Sequence, residues 1–373
     1  MLPLFERLGK EPGIKLKVYF LAESDQNRRW ATDIGQSFDY TILPNYAIRF
    51  GRKDLYTYFV NPTVIPTLVH DGFDVLVAAG WDSFASQVMF FCSRILRKPY
   101  VQWSGSTANE PSWRRTVTLP LVKMMARGAA GCIAYGTRAR QYLEDLGANP
   151  QRIAVAYNTV DVDWYQSQAD ALRPNRAQIR ADLGLLPDGQ TVLYVGQLIE
   201  RKGILDLLAS HKVLTKERPR VELLVVGYGP LETAVRELVE RERILNVHFA
   251  GHVAIADLPR YYVASDCFVL PSHEEVWGLV LNEAAACGLP LVTTSAVGGS
   301  ADLVRPGVNG FVVSAGAPQE LAIAISEALD RSSEFGPESR RMIDGFTYAQ
   351  NVAAIANLLR QIGGASPRAH VTS

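Results

Sequence analysis

Cysteine is scarce in this chain, and its four copies are not spaced for local chemistry. Cys92, Cys132, Cys267 and Cys287 form no CxxC pair, and each sits among apolar or small residues. That arrangement predicts buried, reduced thiols of a cytosolic protein. A run of 18 apolar residues is also missing, so no membrane-spanning helix is expected. The opening residues, MLPLFERLGKEPG, lack an apolar core of signal-peptide length, and a cytoplasmic location follows as the expectation. Net charge is absent too. The 38 Lys/Arg balance the 38 Asp/Glu, which argues against a general nucleic-acid binder. The zero hides an asymmetry. Residues 1–150 hold 18 basic and 13 acidic side chains, a net of +5, and the remainder carries −5. Between Arg94 and Arg140 nine basic residues face one acid, Glu110. A solvated face explains such a stretch. So does a surface for an anionic partner, such as the inner face of a membrane or a lipid pyrophosphate.

What is present is an ordinary globular composition, 48% apolar and 20% charged, in 373 residues, enough for two domains. Short β-rich runs alternate with helical patterns. The first series has strand candidates at 15–22, 74–80, 99–103, 131–136 and 152–158. The second has them at 191–196, 221–227, 247–251, 267–271 and 290–294. Alternation of this kind predicts parallel sheets made of βαβ units. The polar stretch around 165 reads as the crossing between domains. The expected organisation is therefore residues 1–168 as one Rossmann-like domain, completed by a C-terminal helix at 345–363, then 169–344 as a second, with 364–373 a disordered tail. Two doubly wound domains in tandem are expected to hold a ligand in the cleft between them.

The strongest local signal is PSHEEVWGLVLNEAAACGLPLVTT. A strand ends at Pro271, a polar turn carries His273, Glu274 and Glu275, and Gly278 opens a helix that Gly288 stops. A helix N-terminus is an anion site, because its first N–H groups lack intrahelical partners and its dipole favours negative charge. Gly278 has no side chain to hold a phosphate away, and Leu279 and Val280 form the first turn. Glu275 and Glu283 are eight positions apart, at most roughly 12 Å along a helix. That span suits one carboxylate at each end of a nucleotide sugar.

This segment resembles glycosyltransferase family four. The family's signature is a proline-serine turn, a glutamate, an aromatic-glycine pair, a second glutamate and a small-residue run with Gly-x-Pro. Here those elements are Pro271, Ser272, Glu275, Trp277, Gly278, Glu283, Gly288 and Pro290. The resemblance implies an α/β GT-B fold and a retaining, metal-independent transferase working on a nucleoside-diphosphate sugar, with UDP-sugars favoured over GDP-sugars. It implies that Glu275 meets the donor sugar and Glu283 the ribose hydroxyls. GQLIERKG, 196–203, is similar to the family's loop after the first donor-domain strand. Gly196 and Gln197 then lie in the donor site, and Lys202, with Arg201 beside it, neutralises the diphosphate. Gln197 stands where the family usually has arginine. VVGYGPLE resembles the family's Gly-x-Gly-Pro turn at Gly227, and HFAGHV places Val253 near the base. AVGGSADLVRPGVNGFVV resembles its Gly-Gly…acid…Gly-x-Asn-Gly segment, with Asp302 where glutamate is more usual. The catalytic set implied is Glu275, Lys202 and Arg201. No cofactor and no metal is expected.

The amino-terminal half is similar only in layout. AESDQNRRWATDIG stands where many members have a Gly-Gly loop, and Trp103, Ser104 and Gly105 stand where many have a histidine. Trp81, Asp82, Trp103, Ser104 and Asn109 are candidates to line an acceptor cleft for a hydroxyl acceptor, and loop packing explains them as well. The expected acceptors are a lipid-linked or cell-surface glycan precursor or a small metabolite. Other classes fit the sequence less well. A nicotinamide dehydrogenase needs GxGxxG after the first strand, which is lacking. Asp161-Val162-Asp163 matches the Asp-x-Asp of a GT-A enzyme formally but follows the linker asparagine Asn158. A sugar-nucleotide epimerase or a non-catalytic sugar-nucleotide-binding protein is the remaining alternative.

Overall fold

The computed structural model describes residues 1–22, 38–50, 56–108 and 113–364. Contacts divide the chain into two compact units, Met1–Tyr157 with the helix Tyr348–Gly364, and Asn158–Thr347.

The first unit contains β1 (Lys17–Phe20) paired in parallel with β2 (Asp39–Ile42), and an antiparallel pair, β3 (Tyr46–Phe50) and β4 (Tyr56–Val60). Its main sheet is parallel, in the order β5 (Leu76–Ala79), β6 (Tyr100–Ser104), β7 (Gly131–Ala134), β8 (Ile153–Val155). Strand side chains alternate between faces, and both faces of this sheet are covered. Tyr100, Cys132 and Ala134 point into a core with Phe90 and Met125. Val101, Trp103 and Ile133 point into another, with Leu4 and Leu8. The C-terminal helix belongs to that second core through Val352, Ile355, Ala356, Leu358 and Ile362, spaced as one helical stripe. Asn351 Nδ2 also donates to the Tyr157 carbonyl at 2.6 Å.

The second unit is a six-stranded parallel sheet. Its strands are β9 (Gln190–Val195), β10 (Val221–Val226), β11 (Val247–Gly251), β12 (Cys267–Leu270), β13 (Leu291–Thr294) and β14 (Gly310–Val313). In space they run β11-β10-β9-β12-β13-β14. The chain builds outward from β9 to β11, then returns to the other side of β9 with β12. This is the doubly wound order, and its reversal lies between β9 and β12, the place in such sheets where ligands bind. All six residues of β10 and five of six in β9 are buried, as parallel strands covered on both faces require. At the amino ends of β9 and β12 Arg180 is buried. Its guanidinium donates to the carbonyls of Ala264, Leu186 and Gly189, each at 2.7 Å, and to the Thr191 hydroxyl at 3.1 Å. Asp266 at 3.4 Å and Glu222 at 3.5 Å balance its charge.

The strands expected from the two series are present. Four strands were not anticipated. β2, β3 and β4 are short, and β2 is mostly exposed, so no buried apolar run marks it. β14, GFVV, begins at the last glycine of the Gly-x-Asn-Gly segment, which masks its strand signal. The polar stretch around 165 is helical. It forms the helix Val162–Leu172, which packs on the helices Leu258–Ala264 and Leu279–Ala286 of the second unit. Its apolar face, Val162, Tyr165 and Ala169, was hidden by the glutamines and aspartates between those residues. Asp161 caps this helix, its Oδ1 accepting from the Trp164 N–H at 3.2 Å. Capping gives that aspartate a structural task. The four cysteines are buried and form no disulfide.

Candidate functional site

The candidate donor residues gather in the second unit at the carboxyl ends of β9 and β12, the two strands flanking the switch point. After β9 the chain turns through Gly196 and Gln197 into a single helical turn, Glu200–Lys202, and Gly203 then opens the helix Ile204–Glu217. Gly203 has φ +69°, and a Cβ there would lie 2.0 Å from the Pro271 carbonyl oxygen. Only glycine lets this loop press against the end of β12. The loop is also tied there by the His273 N–H, which donates to the Arg201 carbonyl at 2.8 Å.

That contact brings the cations to the glutamates. The Lys202 ammonium pairs directly with Glu275 Oε2, and both side chains are mostly buried. Arg201, about half exposed, lies 3.9 Å from the same oxygen and donates to the Glu274 carbonyl at 3.3 Å. Two cations and one carboxylate therefore meet beside the first turn of the helix Leu279–Ala286. Gly278, with φ +92°, precedes that helix. Trp277 is buried, and its indole N–H donates to Asn282 Oδ1 at 2.9 Å, which fixes the turn. Leu279 is exposed at the helix start, and Val280 is half-buried. The Gly298 and Gly299 N–H groups donate to the carbonyls of Glu275 and Trp277 at 2.8 and 2.9 Å. Their amides thus shape the turn. A Cβ on Gly298 would lie 1.9 Å from the Val276 oxygen.

Glu283 sits near the other end of this helix and is half-buried. Its Oε2 accepts from the Tyr262 hydroxyl at 2.6 Å, and Tyr165 hydrogen-bonds the same carboxylate. Burial pushes its pKa up to about 7, while the two tyrosine bonds pull the other way.

The turn after β10 completes the group. Gly227 has φ +134°, and a Cβ there would lie 1.9 Å from the Gly196 carbonyl oxygen. The backbone of this turn lies against the loop after β9, and Leu198 N–H donates to the Tyr228 carbonyl at 3.0 Å. Val253 follows β11, beside His252, whose ring lies 5.3 Å from that of Tyr228. Asn309 of the Gly-x-Asn-Gly segment is a structural residue. It is buried, its Nδ2 donates to the Leu303 carbonyl and its Oδ1 accepts from Arg305 N–H.

In the first unit, Trp81 and Trp103 are buried in the two cores described above, and Ser104 is buried with its Oγ accepting from Ser106 N–H at 3.1 Å. Asp82 is exposed. Asn109 lies outside the described residues. Sequence reasoning missed Tyr165, Tyr262 and Tyr228, and also the contact of His273 with Asp206 at 2.7 Å. No spacing rule links residues that distant in the chain.

A doubly wound sheet with a helix start and two cations at its switch point has the form of a Rossmann-type domain. Residues 175–346 match the model for glycosyl transferases group 1, and that part of the chain belongs to the family. The D-inositol 3-phosphate glycosyltransferase of Segniliparus rotundus is 36% identical over 272 residues, covering 70% of this chain and 58% of that protein. The protein of the same name from Geodermatophilus obscurus is 33% identical over 252 residues, 62% of this chain and 53% of its own. The chain spans a little over half the length of these curated relatives. Among solved structures, Anabaena HepE in complex with UDP has a TM-score of 0.70 at 22% identity, with 87% of each chain covered. The sucrose-phosphate synthase of Thermosynechococcus elongatus has a TM-score of 0.71 at 21% identity, covering 98% of this chain and 92% of that one. These likenesses define the fold, which is GT-B. No helix among the described residues is long and apolar enough to cross a membrane.

Proposed function

We propose that this protein is a retaining, metal-independent glycosyltransferase that moves a hexosyl unit from a nucleoside-diphosphate sugar, preferably a UDP-sugar, to a hydroxyl acceptor. The observation that carries the reading is the cluster of Lys202, Arg201 and Glu275 at the start of the helix Leu279–Ala286, with Glu283 further along the same helix. A departing nucleoside diphosphate builds up negative charge, and preorganised donors stabilise it without having to reorganise. Lys202, Arg201 and the helix N-terminus are the groups to supply that stabilisation without a metal ion. Glu275, mostly buried beside them, is the group to hold the donor sugar. The sequence has no histidine at Trp103–Gly105 to serve as a base for inversion. The leaving phosphate then takes the acceptor proton on the face it departs from, which retains configuration.

For the acceptor, the names of the relatives make an inositol phosphate the first compound to test. An anionic acceptor suits the net +5 of residues 1–150. A lipid-borne acceptor is the second reading. It is favoured by Phe91, Ile95, Val117 and Met124, which are exposed on helices that also carry Arg94, Arg97 and Lys123 on or next to them. The experiment offers UDP- and GDP-hexoses with D-inositol 3-phosphate or with anionic vesicles carrying a glycolipid acceptor, in excess EDTA, and reads the anomeric coupling of the product by NMR. An α-linked product from an α-linked donor supports the reading, and an inverted product or activity restored only by magnesium or manganese overturns it. Donor turnover without any acceptor points to the epimerase, and no turnover at all points to a binding protein.

A further inference from the structure

We propose that Tyr262 and Tyr165 are positioning residues for the donor's ribose: they hold one side of the Glu283 carboxylate and keep it a pure acceptor, so that the site selects ribose over deoxyribose. The proposal rests on the donor-site reading above and goes beyond it. Neither tyrosine belongs to the segments that carry the family resemblance. They come from two helices, Val162–Leu172 and Leu258–Ala264, that pack against each other, and Tyr165 lies edge-on to Tyr262 with centroids 6.3 Å apart. Tyr262 is fully buried and leans on Phe268 of β12, so its hydroxyl has little freedom to turn elsewhere.

The chemistry follows from counting lone pairs. An ionised carboxylate offers about four acceptor positions and no donor. Two are taken by the tyrosine hydroxyls, Tyr262 at 2.6 Å on Oε2 and Tyr165 on the same group. What remains suits the two adjacent hydroxyls of a ribose, each of which can donate. A protonated Glu283 would present a donor of its own and lose part of that match. The surroundings push it that way. Besides the two tyrosines, Cys287 on the same helix faces Glu283, and burial keeps its thiol neutral. Beyond Cys287 lie Arg173 and Arg340, the latter locked to Asp170 by two 2.6 Å bonds. Burial therefore favours the acid form, and the tyrosine hydroxyls are the groups that favour the carboxylate.

The test measures binding of UDP and of 2′,3′-dideoxy-UDP by calorimetry from pH 6 to 8.5, with the full chain and with Tyr262→Phe, Tyr165→Phe and Glu283→Gln. With a Glu283 pKa of about 7, UDP binding by the parent should weaken about tenfold from pH 8 to pH 6, beyond any change seen with the dideoxy analogue. Tyr262→Phe keeps the ring and removes the hydroxyl. It should weaken UDP at least about fivefold at pH 7, move the midpoint to higher pH and leave dideoxy-UDP unchanged, since a hydrogen bond to a charged group is lost. Tyr165→Phe should act in the same direction, which guards against a folding defect in the first variant. Glu283→Gln should abolish the pH step and the ribose preference. Equal losses for both nucleotides, or an unmoved midpoint in both tyrosine variants, would overturn the proposal. A Glu283→Gln protein that still prefers UDP over the dideoxy analogue would instead overturn the donor-site reading.

Discussion

Removing the charge of Glu275 should tighten nucleotide binding while stopping transfer, an outcome that separates a donor-site carboxylate from a structural one. Without ligand, Glu275 neutralises Lys202 and lies near Arg201, so the cluster carries a net of about one positive charge. A diphosphate drawn to Lys202 would sit two hydrogen-bond lengths from the Glu275 carboxylate, about 6 Å. Two unit charges at that distance repel by about 3 kcal/mol at an effective dielectric of 20. Partial exposure and salt halve this, leaving about 1–1.5 kcal/mol, or about five- to tenfold. Glu275→Gln should therefore bind UDP about five- to tenfold more tightly and lose most turnover. Lys202→Ala removes the counter-charge and leaves Glu275 unpaired beside the phosphates. It should weaken UDP by about 2–4 kcal/mol, 30-fold or more. The double variant should recover part of that loss. Calorimetric titration with UDP at fixed low salt measures all three. Weaker UDP binding in Glu275→Gln would refute the placement of the diphosphate beside this pair.

Three further outcomes are expected. Arg201→Ala should cost less UDP affinity than Lys202→Ala, because Arg201 is half exposed and farther from Glu275; the reverse order would move the phosphate to Arg201. Gly227→Ala should destabilise the second unit by about 1–3 kcal/mol from its positive φ alone, and more from its clash with Gly196, so an unchanged melting temperature would contradict the loop packing described. Arg180→Met, far from the candidate donor residues, should cost about 3–5 kcal/mol in denaturant unfolding because it removes a buried counter-charge of Glu222 and Asp266 and the donor to the Ala264, Leu186 and Gly189 carbonyls. UDP affinity of the folded Arg180→Met protein should be unaltered.

The sequence by itself determined two things about this protein. Its alternating apolar runs determined the parallel sheets, because a strand buried on both faces must be apolar throughout and helices must cover it. The short-range motif around Glu275, Gly278 and Glu283 determined the helix Leu279–Ala286, because a glycine start and a helical spacing are local properties. The structure added what depends on distant segments meeting. Glycine was legible at 203 and 227, but its reason was not: each lets one loop press on the carbonyl of another, Pro271 for Gly203 and Gly196 for Gly227. The Lys202–Glu275 pair joins residues 73 positions apart, and Tyr262 reaches Glu283 across 21. Trp103, a candidate for the acceptor side by its place at the end of a strand, packs in a core, because the period-2 alternation of β6 turns it toward the C-terminal helix. Local pattern fixes which segments become strand or helix and which faces are apolar. Which side chains then meet is decided by the order of the strands in the sheet, and that order places the ends of β9 and β12 side by side.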